Sequence, residues 1–310
     1  MDAGVRSRST HPPRQYSTTH STMPIAGISL GTGIGGGTSA TSSGAPGGGT
    51  IPWTNTLSGL FDDDYVTFTS ITLAGAKSVS LWIKAGLWAD TPTSQTWNYG
   101  MPVSAATSAQ YFPLVSTLNN GAQYFYARGD VGPKFISLTA GTFVSGTWYH
   151  LVVTSSGSDT KFYVDSVHKG TVAADAGDIT LTRMGGSTGM FLDSNMDEVA
   201  LWDVELSADQ VTNIYYGEAS GVTPAGSVGS AKTPGDLQTF NAASGTGPLH
   251  WWRFGDGVGD VNAAGGTPAN TGVIGTIVDQ HSVLNGGSGG KNAANTSGSA
   301  QPAFSNVLPA

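Results

Sequence analysis

The sequence predicts an all-β sandwich that carries one short helix near residues 208–216. The first of three observations is a series of short runs rich in β-branched and aromatic residues, separated by turn residues, from Phe68 to Val164. The second is composition: 45 glycines in 310 residues and only 11% charged residues suit many tight turns and a surface made polar by Ser, Thr and Asn. The third is the stretch Met190–Tyr216, which reads as a strand and then the one well-capped helix.

The elements follow in order. Phe68, Ile71 and Leu73 lead into Val79–Ile83, an apolar run of strand length. Tyr124-Phe125-Tyr126 and Phe135-Ile136 predict a hairpin across Arg128-Gly129-Asp130, an integrin-type tripeptide that equally suits an ordinary turn, the reading favoured here. Leu151–Thr154 and Lys161–Val164 flank Ser156-Gly157-Ser158-Asp159, another turn signal. Met196, Val199, Leu201 and Trp202 give a further strand, with Asp197 and Glu198 at its start. Leu206 then precedes Ser207, and Gln210 stands three residues on, the arrangement of a capping box with an apolar staple. Val211, Ile214 and Tyr215 form one apolar stripe, and Gly217 supplies the left-handed residue that ends a helix.

These segments resemble, in order, a laminin-G-like domain of the concanavalin-A-like lectin/glucanase superfamily. The matching segments are Phe61-Asp62-Asp63-Asp64-Tyr65-Val66, Ser78–Ile83, Trp148–Val153, Phe162–Asp165, and Asp197-Glu198-Val199 with Leu206-Ser207-Ala208. The resemblance covers roughly residues 60–217 and implies a jelly-roll sandwich. Ser166 stands where the family commonly has glycine, so the usual positive-φ turn is not expected there.

The chain divides into a Gly/Ser/Thr-rich extended arm (1–55), the sandwich (56–217), a linker (218–247) and a trailing β segment (248–310). The arm holds too little apolar surface to offset its own ordering entropy and is expected to order on a partner. The trailing segment, with Leu249–Gly257 and Ile277–Ser282, resembles the lead-in strand of laminin-G-like domains, displaced behind the core. It is expected to pack on the sandwich or on a neighbouring subunit; an independent subdomain is the third option.

Charge is uneven. Residues 1–22 carry +2, residues 23–59 carry none, residues 60–217 carry −8 and the remainder −2. An acidic domain gains nothing from counterion release on a polyanion, so nucleic acid is not an expected partner. No run reaches transmembrane length, and no apolar stretch follows the N-terminal arginines to make a secretory signal. With no cysteine, disulfides and thiolate metal sites are excluded.

Chemistry-bearing motifs are few. Gly31-Thr32-Gly33-Ile34-Gly35-Gly36 contains a dinucleotide-type glycine pattern without the strand and helix that must flank it, so a flexible arm is the better reading. Asp62, Asp63 and Asp197 are candidate ligands for a structural Ca2+, a hard cation that wants several oxygens; solvated or turn-capping acids at strand ends are the alternative. Glycanases of the superfamily carry a Glu-x-Asp-x-x-Glu strand, and the three glutamates Glu198, Glu205 and Glu218 are not so arranged, so an enzyme is not expected. Trp88, Trp97, Tyr99 and Tyr111 fall in what reads as a loop-rich region, 86–113, where exposed rings stack on sugars or anchor a protein interface.

The expected function is a non-enzymatic virion structural protein, a capsid decoration or fibre-type subunit that assembles through arm and tail with copies of itself and with capsid or tail proteins. This expectation rests on resemblance: the trailing segment is similar to one in bacteriophage structural proteins that carry such a domain. The alternative is an extracellular carbohydrate-binding adhesin that uses the loop aromatics on cell-surface glycans, with or without Ca2+.

Overall fold

A computed structural model describes residues 55–93, 97–107, 109–187, 189–217, 237, 247–280, 290–295 and 301–309. The arm apart from Asn55, the Gly31–Gly36 pattern and most of the linker lie outside them. In chain order the strands begin with β1 (Ser58–Phe61), β2 (Val66–Leu73) and β3 (Lys77–Lys84). A short 3-10 turn over Leu87–Ala89 leads to β4 (Trp97–Gly100), β5 (Val103–Ser104), β6 (Tyr111–Leu118), β7 (Gln123–Gly129) and β8 (Gly132–Leu138). Next come β9 (Trp148–Ser155), β10 (Thr160–Val164), β11 (Val167–Val172), β12 (Ile179–Met184), β13 (Gly186–Ser187), β14 (Met190–Phe191) and β15 (Ser194–Trp202). Helix α1 (Ala208–Tyr216) precedes β16 (His250–Trp252), β17 (Val261–Asn262), β18 (Ile274–Ile277), β19 (Ala293–Asn295) and β20 (Ala303–Ser305).

Two antiparallel sheets enclose the main core. One runs β11-β10-β9-β3-β15-β1-β20, with β16 also on β15; the other runs β17-β18-β19-β2-β12-β5-β6-β7-β8, with β4 also on β6. The described strands beyond residue 248 therefore extend both sheets of the same chain. Among the described residues no helix is long and apolar enough to cross a membrane.

The two sheets differ in how many faces are covered. In β3, Val79, Leu81 and Ile83 enter the main core, while Trp82 points the other way and stacks on Tyr215 of α1 at 5.6 Å and 14°. A strand covered on both faces needs apolar or satisfied side chains throughout, and β3 and β9 are buried at nearly every position. Strand β7 instead alternates: Gln123, Phe125 and Ala127 are buried, while Tyr124, Tyr126 and Arg128 are only half-buried, so one face of the second sheet meets solvent.

The helix follows its sequence signals. Ser207 Oγ accepts from Gln210 N at 3.2 Å, Gln210 Oε1 accepts from Ser207 N at 2.8 Å, and Gly217 takes φ 67°. One expectation is corrected. The two-residue loop between β10 and β11 keeps positive φ at both positions, Asp165 (50°) and Ser166 (64°), without glycine. This is the backbone twist that two-residue hairpins need, and Asp165 is held there by accepting from His150 N through its carboxylate at 2.9 Å.

Candidate functional site

Strand β7 places Tyr124 and Tyr126 outward, register pairs Tyr126 with Phe135 of β8, and β6 separates Tyr124 from Tyr99 of β4 in one row. The result is a continuous aromatic platform. Trp97 and Tyr99 stack at 5.9 Å and 11°, Trp97 reaches Tyr124 at 6.0 Å, and Tyr124 reaches Phe135 at 6.0 Å. Tyr126 lies 5.2 Å from Phe135, which is 49% exposed. Successive ring centroids are thus 5.2–6.0 Å apart, and Trp97, Tyr99, Tyr124 and Tyr126 are each half-buried.

At its Trp97 end the platform opens into a cleft of about 270 Å3, lined by Leu87, Trp88, Asn98, Phe191, Asp63 and Asp193 among others. Asn98 is fixed there by donating through Nδ2 to the carbonyls of Leu87 and Asp90, both at 2.9 Å. Asp63 and Asp193 occupy turns with φ 57° and 51°, a left-handed conformation that Asp tolerates better than most residues. Burial, with repulsion from Asp62 and Asp63, pushes the Asp193 carboxyl up. Asp64, buried behind them, is pushed up to about 7 by burial and by Asp62, Asp63 and Asp193.

A second carboxylate group lies at the other end of β1. Strand β15 exchanges its partner there: Ser194–Met196 pair with β1, and Val199–Leu201 pair with β16. Asp197 and Glu198 fill the irregularity between, with Glu198 at φ 49° and both side chains buried. Glu198 accepts from Trp251 Nε1 at 2.5 Å and from Arg253 Nε at 3.1 Å, while Asp197 accepts from Asn55 Nδ2 at 3.1 Å. Asp256 accepts from the backbone N of Thr56 (2.6 Å) and Leu57 (2.9 Å). Burial raises Asp197 and Glu198, and Arg253 opposes the rise at Glu198. This seam joins β1, β15 and the trailing segment.

Several expected site residues stand elsewhere. Trp88 is 1% exposed, packed edge-on against Phe143 at 5.3 Å, and Tyr111 is 8% exposed beside Met101 and Leu114. The region 86–113 is not one loop; it holds the 3-10 turn, β4, β5 and the start of β6, which is why half of its rings turn inward. Trp97 and Tyr99 do reach the surface. For the expected Ca2+ ligands, Asp62 and Asp63 share one turn, but Asp197 is committed to the seam. Among the described residues no three acids or histidines are grouped to hold a metal. Nor are Asp197 and Glu198 solvated strand-end groups. Residue type alone does not mark Tyr124, Tyr126, Phe135 and Asp193 as site residues; three aromatics in succession at Tyr124–Tyr126 are the available signal, since a strand cannot turn all three inward.

The structure is similar to a heptameric SAP-like pentraxin from Limulus polyphemus (18% identity, 52% of this chain and 82% of that one, TM-score 0.39). It is also similar to a Bacteroides ovatus ATCC 8483 protein (13% identity, 84% and 62%, TM-score 0.47) and to the mouse laminin α1 LG4-5 domains (14% identity, 52% and 45%, TM-score 0.34). The chain thus spans 62% of the Bacteroides protein and under half of the laminin fragment. No curated protein sequence matches. The family profile matches residues 58–212, half of the chain, from β1 into α1. The chain belongs to the concanavalin A-like lectin/glucanases superfamily.

Proposed function

We propose that this chain is a non-catalytic carbohydrate-binding module whose ligand lies along the aromatic platform and ends in the adjoining cleft. The observation that carries the reading is the row of half-exposed rings Trp97, Tyr99, Tyr124, Tyr126 and Phe135, spaced at 5.2–6.0 Å on one sheet face. Aromatic rings bury the apolar C–H faces of sugars, and polar groups at the end of such a row fix orientation. Here those groups are Asp63, Asp193 and Asn98.

A glutamate-based glycosidase is disfavoured by where the glutamates are. A glycosidase needs one free acid to protonate the leaving oxygen and a second carboxylate facing it. Glu198 is enclosed by Arg253 and Trp251, Glu205 pairs with Lys161 at 2.6 Å, and Glu218 lies outside the described residues. A glycan array with the full chain, repeated with Trp97→Ala and Tyr124→Ala, tests the proposal. Retention of the bound set by both variants, or no bound glycan at all, refutes it.

A virion subunit, capsid decoration or fibre, is the second reading. What favours it is the uncharged segment 23–59, which can pack against protein without desolvating ions. Co-sedimentation of the full chain with particles, lost on deleting residues 1–54, supports that role; a stable monomer with no particle association counts against it.

A further inference from the structure

Strand β7 carries a third residue on the face of the platform. Tyr124, Tyr126 and Arg128 alternate with buried Phe125, Ala127 and Gly129. Arg128 therefore stands about 7 Å beyond Tyr126 along the strand, on the same side of the sheet. Across the sheet it lies opposite Tyr111 of β6 and Pro133 of β8, and Pro133 is exposed like Phe135, its neighbour on that face. The register thus sets a guanidinium at the end of the platform remote from Trp97, which pairs with Leu118 at the far end of β6.

Two observations single out this cation. Lys77, Lys161 and Arg253 each have a carboxylate oxygen at 3.0, 2.6 and 3.1 Å. Among the described residues no such ion pair involves Arg128, and its side chain is half-buried. Its one side-chain partner is neutral: it donates to the Tyr111 hydroxyl. Tyr111 is 8% exposed and packs with Met101 and Leu114, so the arginine head is tethered to a fixed point. A guanidinium has five N–H donors in a planar fork that matches a carboxylate, and it stays charged at any pH of interest. The tether uses only part of that fork.

The two ends of the platform therefore differ. No lysine, arginine or histidine lines the cleft at the Trp97 end, so an anionic group on a ligand is served at the Arg128 end alone. We infer, resting on the carbohydrate reading above, that Arg128 is a specificity-determining residue that takes the carboxylate of an acidic sugar at one end of the bound saccharide. The neutral remainder of that chain runs over Tyr126 and Tyr124 towards Trp97. This gives the ligand a direction, which a row of rings does not supply.

A glycan array of the full chain at a pH of about 7, where a sugar carboxylate is ionised, tests the assignment with matched pairs. Each pair is an oligosaccharide ended by one carboxylated sugar and the methyl ester of the same compound. The acid is expected to bind about tenfold more tightly than its ester, with the gap narrowing in high salt. In Arg128→Gln the ratio should fall to about one, and Arg128→Lys, which keeps the charge but not the fork, should restore part of it. Melting temperatures check that both variants fold, and the acid–ester comparison itself needs only the unaltered chain. Equal binding of acid and ester overturns the subsite and leaves the carbohydrate reading intact. An acid preference that survives in folded Arg128→Gln overturns it likewise. Tighter binding of sulfated counterparts than of the carboxylated ones overturns the choice of a carboxylate. No bound glycan at all removes both readings.

Discussion

Two groups of carboxylates bracket β1, and they are handled in opposite ways. At its start, Asp197, Glu198 and Asp256 meet Arg253, Trp251, Asn55 and the backbone of residues 56 and 57, so each acid has donors and the group has a cation. At its end, Asp62, Asp63, Asp64 and Asp193 crowd together with no cation contributing to the shifts of Asp64 or Asp193. Acids with donors and a cation form a structural joint; acids that raise one another's pKa, as around Asp64 and Asp193, cost free energy when all are ionised. The contrast separates residues that hold the chain together from residues left over for a ligand.

The largest expected effect comes from breaking the satisfied group. Arg253→Ala strands Glu198 and Asp197 without their counter-charge, which should cost about 3–5 kcal/mol and lower the melting temperature on the order of 10 °C. Gly59→Ala should follow at about 1–3 kcal/mol by denaturant unfolding, because a Cβ there would stand 2.5 Å from the Phe254 ring at the same joint. In the platform, Trp97→Ala should weaken saccharide binding by about 1–2 kcal/mol, five- to thirtyfold, measured by calorimetry, with little change in melting.

The pH dependence sharpens the same comparison. Asp260 sits in the trailing segment, accepts from the backbone N of Gly255, Gly257 and Val278, and is pushed up to about 7 by burial. Asp64 is likewise raised to about 7. The folded state then holds protons that the unfolded state releases near 3.8, so stability falls as pH climbs from about 4 towards 7 and levels off above it. Buried His150, lowered to about 3, works oppositely: its contribution is lost as pH falls below 6.5. Melting temperatures should therefore fall between pH 6.5 and 7, and Asp260→Asn should flatten that slope. The smallest effect is expected from Asp62→Asn, which removes one repelling charge from the open cluster and should raise stability by a few tenths of a kcal/mol, about the usual range for a surface change.

Much of the scaffold was legible in the residues, and the reasons are local. Ser207, Gln210 and Gly217 specify the helix within eleven residues, and Val79, Leu81 and Ile83 specify a strand by spacing alone. The site was legible only in part. Trp97 and Tyr99 stood out by residue type, but the same criterion chose Trp88 and Tyr111, because exposure depends on which strand covers which, not on the neighbours in sequence. Tyr124, Tyr126 and Phe135 read as hairpin residues, and nothing local says that their face lacks a covering helix while that of Trp82 has one. Asp197 and Glu198 read as acids at a strand start; Arg253, fifty-five positions after Glu198, is what makes them a joint.

The most direct test uses the chain's own tryptophans. With fluorotryptophan incorporated throughout, titration with an oligosaccharide that the array identifies should shift the Trp97 resonance saturably and leave Trp251 and Trp252 in place. A saturable shift at Trp251 or Trp252 with Trp97 unmoved would put the ligand at the seam and contradict the division drawn between the two carboxylate groups.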